Sequence, residues 1–337
     1  MKKTAILIYG GEGAEHEISI KSAENLYAAI DKSTFDVIPI LIDKNGYWYI
    51  NEDFKNESLQ PTFPVYINAI SGILTDEGII EADVAIPALH GDFGEDGIIQ
   101  GALDAAHIPY IGCRVGASAM CCDKVFTKII AEHLGIPTAK YTVAEPGEPE
   151  SDVIERAKAT LNYPMFVKPA RLGSSVGTSR VENDGELTSA LHTAKEYCDR
   201  ILIEECIDVS YELECGFFEV GKRTYLSASG MILTNGSFYG YDEKYRNKSS
   251  PKTAHGIKPD KALATQAEET AKRLATVIGI TQISRIDFFV TKGGKLFFNE
   301  INTFPGMTES SLYPLLTEDM GFSKNEFINL LLAEAVK

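Results

Sequence analysis

The chain has 337 residues, 44% hydrophobic and 24% charged, which leaves room for two or three globular domains and excludes disordered, collagen-like and coiled-coil chains. Against 32 Lys and Arg stand 48 Asp and Glu, a formal charge of −16. A chain this acidic is a poor general binder of nucleic acid or anionic membrane, though a few basic side chains and backbone amides can still hold phosphate locally. No stretch approaches the roughly 20 apolar residues of a membrane span.

In chain order, Thr4–Tyr9 reads as a first strand rather than a signal-peptide core, because its apolar run ends at Gly10, Gly11 and Gly13. Ile18–Ile30 has helical periodicity, Val37–Ile42 and Val84–Leu89 are strands, and Gly97–His107 is a helix. Alternation of this kind predicts a doubly wound parallel sheet over roughly the first 110 residues. A second segment opens near Cys113, with a helix Asp123–Gly135 closed by Gly135 and Pro137, then strands at 163–167 and Arg200–Glu205. The third has strands Glu212–Phe218 and Thr224–Met231, a polar stretch to Pro259, a helix Lys261–Gly279, a hairpin Ile283–Asn302 and a last helix Ser323–Val336. The cysteines at 113, 121, 122, 198, 206 and 215 match no zinc spacing and read as reduced core thiols of a cytoplasmic protein.

Three stretches carry chemistry. Lys168-Pro-Ala-Arg-Leu-Gly-Ser-Ser-Val-Gly177 follows a strand; its two glycines permit sharp turning, and amides, hydroxyls and a lysine form a cradle for oxyanions. It is not a Walker A loop, and Gly11-Glu-Gly13 lacks the third glycine of a dinucleotide fingerprint, with His16 in its place. In the hairpin, Lys292-Gly-Gly-Lys295 predicts a two-residue turn that sets Asp287 opposite Glu300 and Arg285 opposite Asn302. Those four share one face, and Ile286, Phe288, Val290, Phe297 and Ile301 form a core face. Two opposed carboxylates repel; magnesium between them, with Asn302 as a further oxygen ligand, removes the conflict, and neutralisation by Arg285 is the alternative. Finally, Pro305-Gly306 forces a turn that offers the Gly306 N–H beside Arg285, a donor pair suited to an oxyanion. His90 at a strand end reads as structural or as a ligand group, and Glu15 as a helix cap or an amine ligand. Lys124 and Lys128 read as a solvated helical face.

Together these segments resemble the D-alanine–D-alanine ligases of the ATP-grasp family. The matching stretches are Ala14-Glu-His-Glu-Ile-Ser19, Leu89-His-Gly91 with Gly94-Glu-Asp-Gly97, Asp123-Lys124, Val167-Lys-Pro169, Gly173–Gly177, Glu243-Lys-Tyr245, Arg285-Ile-Asp287, and Asn299–Thr303 with Pro305–Thr308. The resemblance implies a three-domain α/β architecture: a Rossmann-like domain over 1–112, and ATP-grasp subdomains 113–204 and 205–337 clasping the nucleotide. It implies ATP contacts from Lys124, Lys168, Ser175, Glu205, Ile207 and Asn299, with Glu204 at the adenine amine and Glu212 at the ribose. Asp287, Glu300 and Asn302 would hold two magnesium (or manganese) ions. Glu15 and His90 would bind the first D-alanine, Ser311 and the Leu312 backbone, along with Arg285, would hold the carboxylate of the second, and Lys244 would be a further substrate-binding residue. Ser174 and Tyr245 would orient groups between the subsites, with Arg285 and Gly306 stabilising the oxyanion. Tyr241–Pro259 would be a mobile lid, the enzyme would be a homodimer through its N-terminal domain, and D-alanyl-D-alanine would serve peptidoglycan synthesis. The sequence departs from the family pattern at Leu172, at an extra residue within Cys206–Tyr211, in the basic stretch Arg246–Gly256 and at Glu309. An apolar Leu312, where glycopeptide-resistance relatives carry arginine, favours D-alanine over D-serine as acceptor. Tyr245, where lactate ligases carry histidine, disfavours D-lactate.

Overall fold

The computed structural model describes residues 2–54, 64–68, 72–233, 259–309 and 311–337. The elements are, in order, β1 (Lys3–Gly10), α1 (His16–Ala29), β2 (Phe35–Ile42), β3 (Trp48–Ile50), β4 (Tyr66–Asn68), β5 (Gly72–Thr75), β6 (Gly78–Ile80), β7 (Val84–Pro87) and α2 (Ile98–Ala105). Then come α3 (Val115–Cys122), α4 (Lys124–His133), β8 (Tyr141–Ala144), α5 (Glu150–Thr160), β9 (Met165–Pro169), β10 (Ser179–Val181), α6 (Asp184–Lys195) and β11 (Ile201–Glu205). The last part holds β12 (Val209–Val220), β13 (Arg223–Leu233), α7 (Lys261–Ile278), β14 (Ile283–Thr291), β15 (Leu296–Asn302), α8 (Leu312–Asp319) and α9 (Lys324–Ala335).

The first sheet has the order β3-β2-β1-β7, with β2, β1 and β7 parallel and β3 antiparallel at the edge. It is doubly wound, as the strand–helix alternation predicts. Alternate residues of β1 enter different cores: Leu7 and Tyr9 pack with Leu26 of α1, and Ile6 and Ile8 with Ile99 and Leu103 of α2. A strand covered on both faces is apolar throughout, which is why β1 shows no polar alternation. The chain's last helix returns to this sheet, where Phe327, Ile328, Leu331 and Leu332 join the Leu7 core. Its start is fixed by a capping box between Ser323 and Glu326.

The second sheet, β10-β9-β11-β8, is antiparallel and packs one face on α5 and α6. Its other face carries Leu202 and meets Val125 of α4. The third, β13-β12-β14-β15, is also antiparallel and packs on α7 and α3 through Leu213, Ile286, Phe288 and Ala271. Helix α4 therefore lies between the second and third sheets.

The hairpin differs from the expected turn. Its loop has three residues, Lys292–Gly294, closed by Thr291 N–H to the Lys295 carbonyl at 3.1 Å, with Gly294 left-handed at φ 74°. Pairing starts one residue out of the expected register, with Val290 opposite Leu296 and Phe288 opposite Phe298. A bulge at Asn299 then restores it, so that Asp287 does face Glu300 and Arg285 does face Asn302. The core face changes accordingly. Phe298, 1% exposed, packs edge-on against Phe288, and Phe297 is half-buried on the opposite face.

Candidate active site

Helix α4 begins at Asp123, whose carboxylate caps Val125 N–H and also takes Arg171 and Arg200 at 3.1 and 3.0 Å. The cap fixes the helix start, and Lys124 and Lys128 then project on one face. That face is buried, not solvated as the spacing suggested: Lys128 is 1% exposed. Lys124 Nζ donates to the Leu172 carbonyl at 2.8 Å and lies 3.3 Å from Glu300. Burial works against the Lys124 charge, but its acidic neighbours, Glu300 foremost, together outweigh it and its pKa is raised. Lys128 and Lys168 both pair with Glu204, on adjacent β11. Burial pushes the Glu204 carboxyl up, yet the two lysines hold it down at about 2.

Three acidic residues stand in line across the third sheet. Glu214 on β12 faces Asp287 on β14, which faces Glu300 on β15. The repulsion is met by side chains. Arg285 Nε and Nη2 grip the two Asp287 oxygens at 2.8 and 2.7 Å, and Nε lies 3.3 Å from Glu214. Asn302 Nδ2 donates to Asp287 at 3.0 Å. Despite burial, Asp287 and Glu214 hold Arg285 firmly charged. With Lys124 included, these three acids stand against two cations among the described residues, which leaves an excess of one negative charge. Carboxylates joined by an amide group form a donor set that fits a hard divalent cation completed by phosphate and water. Among the described residues no three His, Cys, Asp or Glu side chains converge as a ready-made metal cage.

The loop after β9 brings the N-terminal domain in. Ser174 and Ser175 both adopt left-handed backbone, φ 52° and 59°, as does Gly177 at 68°; Gly173 does not. The strain thus falls on the serines, where about 1–2 kcal/mol per residue opposes it. Such a conformation lets successive N–H groups converge on an anion. Ser174 Oγ donates to Glu15, which is the N-cap residue of α1 but makes no capping bond with its side chain. His90 is buried and bonded through Nε2 to Ser22 Oγ at 2.9 Å; burial lowers its pKa. Ser22 also accepts the Met307 N–H, at 3.3 Å. Glu95 accepts the Gly91 and Phe304 N–H groups at 3.0 and 3.1 Å, and burial with the Glu15 charge raises its carboxyl to about 7.

Past β15, Ser311 Oγ accepts the Thr308 N–H at 3.1 Å and lies close over Gly306, where an added Cβ would be 2.9 Å from it. Leu312 opens α8 and is buried. The other residues tied to the nucleotide are more dispersed. Glu205 takes the Asn162 amide at 2.9 Å, Ile207 and Glu212 are half-buried, and Asn299 occupies the bulge. Lys244 and Tyr245 lie outside the described residues. Sequence reasoning missed Lys128 and Glu214 and gave Glu95 no role. Alternation from Glu212 would have placed Glu214 on the same face. Of the cysteines, all free, Cys113, Cys121 and Cys215 are core thiols, whereas Cys122, Cys198 and Cys206 are half-exposed.

Family profiles described as "D-ala D-ala ligase N-terminus" and "D-ala D-ala ligase C-terminus" match residues 4–113 and 130–333. A D-alanine–D-alanine ligase of Streptococcus thermophilus is 37% identical over 98% of this chain and 95% of its own. Among solved structures, the VanG D-Ala:D-Ser ligase from Enterococcus faecalis superposes with a TM-score of 0.90 at 32% identity, covering 99% of this chain and 100% of that one. The D-alanyl-alanine synthetase A from Vibrio cholerae gives 0.87 at 31%, covering 100% and 99%. A buried lysine cluster beside an acid hairpin, full-length relatives and both profiles converge: the chain belongs to the D-alanine–D-alanine ligase family, ATP-dependent ligases of the ATP-grasp fold.

Proposed function

We propose that this enzyme joins two D-alanine molecules into D-alanyl-D-alanine, with ATP converted to ADP and phosphate, for peptidoglycan synthesis in the cytoplasm, as a homodimer. The division into 1–112, 113–204 and 205–337 is part of this reading. No helix among the described residues is long and apolar enough to cross a membrane. The observation that carries the proposal is Lys124, which touches both Glu300 of the acid hairpin and the Leu172 carbonyl of the Gly/Ser loop, and so joins a metal-type site to a phosphate-type loop.

The roles follow from charge and geometry. Lys124 and Lys168 offset the triphosphate charge, and the loop amides at 173–177 hold its terminal oxygens. Asp287, Glu300 and Asn302 would hold two magnesium or manganese ions, whose contribution is neutralisation of charge at the transferring phosphoryl group. Glu15, beside Ser174, takes the ammonium of the first D-alanine near His90. That substrate's carboxylate oxygen attacks the γ-phosphorus, the bond to ADP breaks, and an acyl phosphate forms. Ser311 and the Leu312 backbone hold the carboxylate of the second D-alanine. Its amine, having lost a proton, attacks the acyl carbon, and phosphate departs with the bonding pair. Arg285, oriented by its grip on Asp287, and the Gly306 N–H stabilise the oxyanion between those events.

A second reading, ligation of D-alanine to D-serine, has support in the VanG likeness. Phosphate-release kinetics with D-alanine, D-serine and D-lactate as acceptors decide between them. D-alanine is expected to give the highest kcat/KM; a higher value for D-serine would overturn the choice.

A further inference from the structure

Lys128 has no role in the chemistry above, yet it is the most deeply buried charged side chain of α4. Burying a long cationic side chain is costly unless the charge is answered. Its ammonium pairs with Glu204, lies 3.5 Å from the Ala139 carbonyl, and sits 5.3 Å from the centre of the Tyr141 ring. Tyr141 is the β8 neighbour directly across from Glu204. Lys168 approaches Glu204 from β9, diagonally across the antiparallel pair. The two lysines are not equivalent. Lys168, the residue that opens the Gly/Ser loop, keeps 15% of its side chain accessible, whereas Lys128 keeps 1%. One carboxylate thus stands between a cation sealed in the protein and a cation still open to solvent.

With one lysine alone, the carboxylate would cancel it and present a neutral pair to the nucleotide. With two, one positive charge is left over, and only Lys168 is placed to express it outward. We infer that Lys128 is a positioning residue of the nucleotide site: by pairing with Glu204 from the buried side, it leaves the charge of Lys168 in net excess for a polyphosphate. The inference rests on the nucleotide reading of Lys168 given above and adds a source for its strength.

Steady-state kinetics and ADP-binding calorimetry on the full-length enzyme test it. Lys128→Met is expected to raise KM for ATP and weaken ADP binding by about tenfold, with KM for D-alanine within about twofold of the unaltered enzyme. Glu204→Gln, itself a change in the nucleotide site, serves as the reference for a double variant. With the carboxylate charge gone, adding Lys128→Met is expected to alter the ATP KM and ADP affinity of Glu204→Gln by less than about threefold. A merely structural lysine would show the same loss in both backgrounds, and a loss not confined to the nucleotide. The inference is overturned by an unchanged ATP KM in Lys128→Met, or by a further loss of about tenfold when Lys128→Met is added to Glu204→Gln. Should Lys128→Met fail to fold, the comparison of Glu204→Gln with the double variant decides, and a loss of about tenfold between them, or a double variant that does not fold, overturns the inference. Lys168→Met separates the two levels: an unchanged ATP KM there defeats the nucleotide reading itself, whatever Lys128 does.

Discussion

The two sheets that flank α4 have opposite charge balance among the described residues. In the third sheet Glu214, Asp287 and Glu300 outnumber Arg285 and Lys124; in the second, Lys128 and Lys168 outnumber Glu204. One helix supplies a lysine to each. The first arrangement leaves a negative site suited to a hard cation, the second a positive site suited to phosphate. A metal-bound triphosphate has both characters along its length. On the proposed reading, the nucleotide's orientation is set by the balance of ion pairs on either side of α4, rather than by any single basic residue.

The most damaging way to break the contrast is to remove charge from its negative side. Glu300→Ala should lower kcat by about a thousandfold or more, because phosphoryl transfer loses its charge neutralisation, with the fold kept. An unaltered turnover number would refute the metal assignment. The hairpin that carries these acids can be tested next through its core. Phe298→Ala should cost about 3–5 kcal/mol in urea unfolding and Phe297→Ala clearly less, since only the former is sealed against Phe288. Equal losses would mean that the bulge at Asn299 is misplaced. Arg285→Lys keeps the charge but loses the two-pronged grip on Asp287, and should reduce kcat by about a hundredfold with a smaller change in KM. A rate within a few-fold would remove Arg285 from oxyanion stabilisation.

The smallest effect concerns Glu95, which ties the loop after β7 to the loop after β15. Its carboxyl is raised from 4.5 to about 7, so the folded state holds a proton that the unfolded chain releases. That contribution to stability is complete below pH 4.5 and is lost as pH rises through 7. Glu95→Gln should therefore flatten the fall in stability between about pH 4.5 and 7, read from urea midpoints at each pH. A slope identical to that of the unaltered enzyme would contradict the buried, protonated carboxyl.

The parallel sheet and the acid hairpin were legible because their patterns are strong, but the hairpin register came out right through two offsetting errors. The loop has three residues rather than two, and the bulge at Asn299 adds one back. The acid pairing survived both, and the assignment of Phe297 to the core did not. Short elements were missed for physical reasons. Helix α3, VGASAMCC, is small and apolar on every side and has no amphipathic stripe to detect. Strands β3 to β6 have three or four residues each, too few to show a period. At the site, the lysine pair on α4 was misjudged because helical spacing reports which residues share a face but not what covers it. The cover here is a sheet whose Glu204 comes from a distant part of the chain. The left-handed serines were hidden for a similar reason: glycine is the expected carrier of such backbone, and Gly173 stood beside them.

On the proposed function, the carboxylates facing each other on β14 and β15 hold a divalent ion next to the nucleotide. Electron paramagnetic resonance of Mn2+ titrated into the ADP-bound enzyme tests it directly, with Glu300→Gln as the comparison. A protein-bound, nucleotide-dependent manganese signal is expected in the unaltered enzyme, with an affinity weakened by at least about tenfold in the variant. Equal manganese binding by both proteins would contradict it.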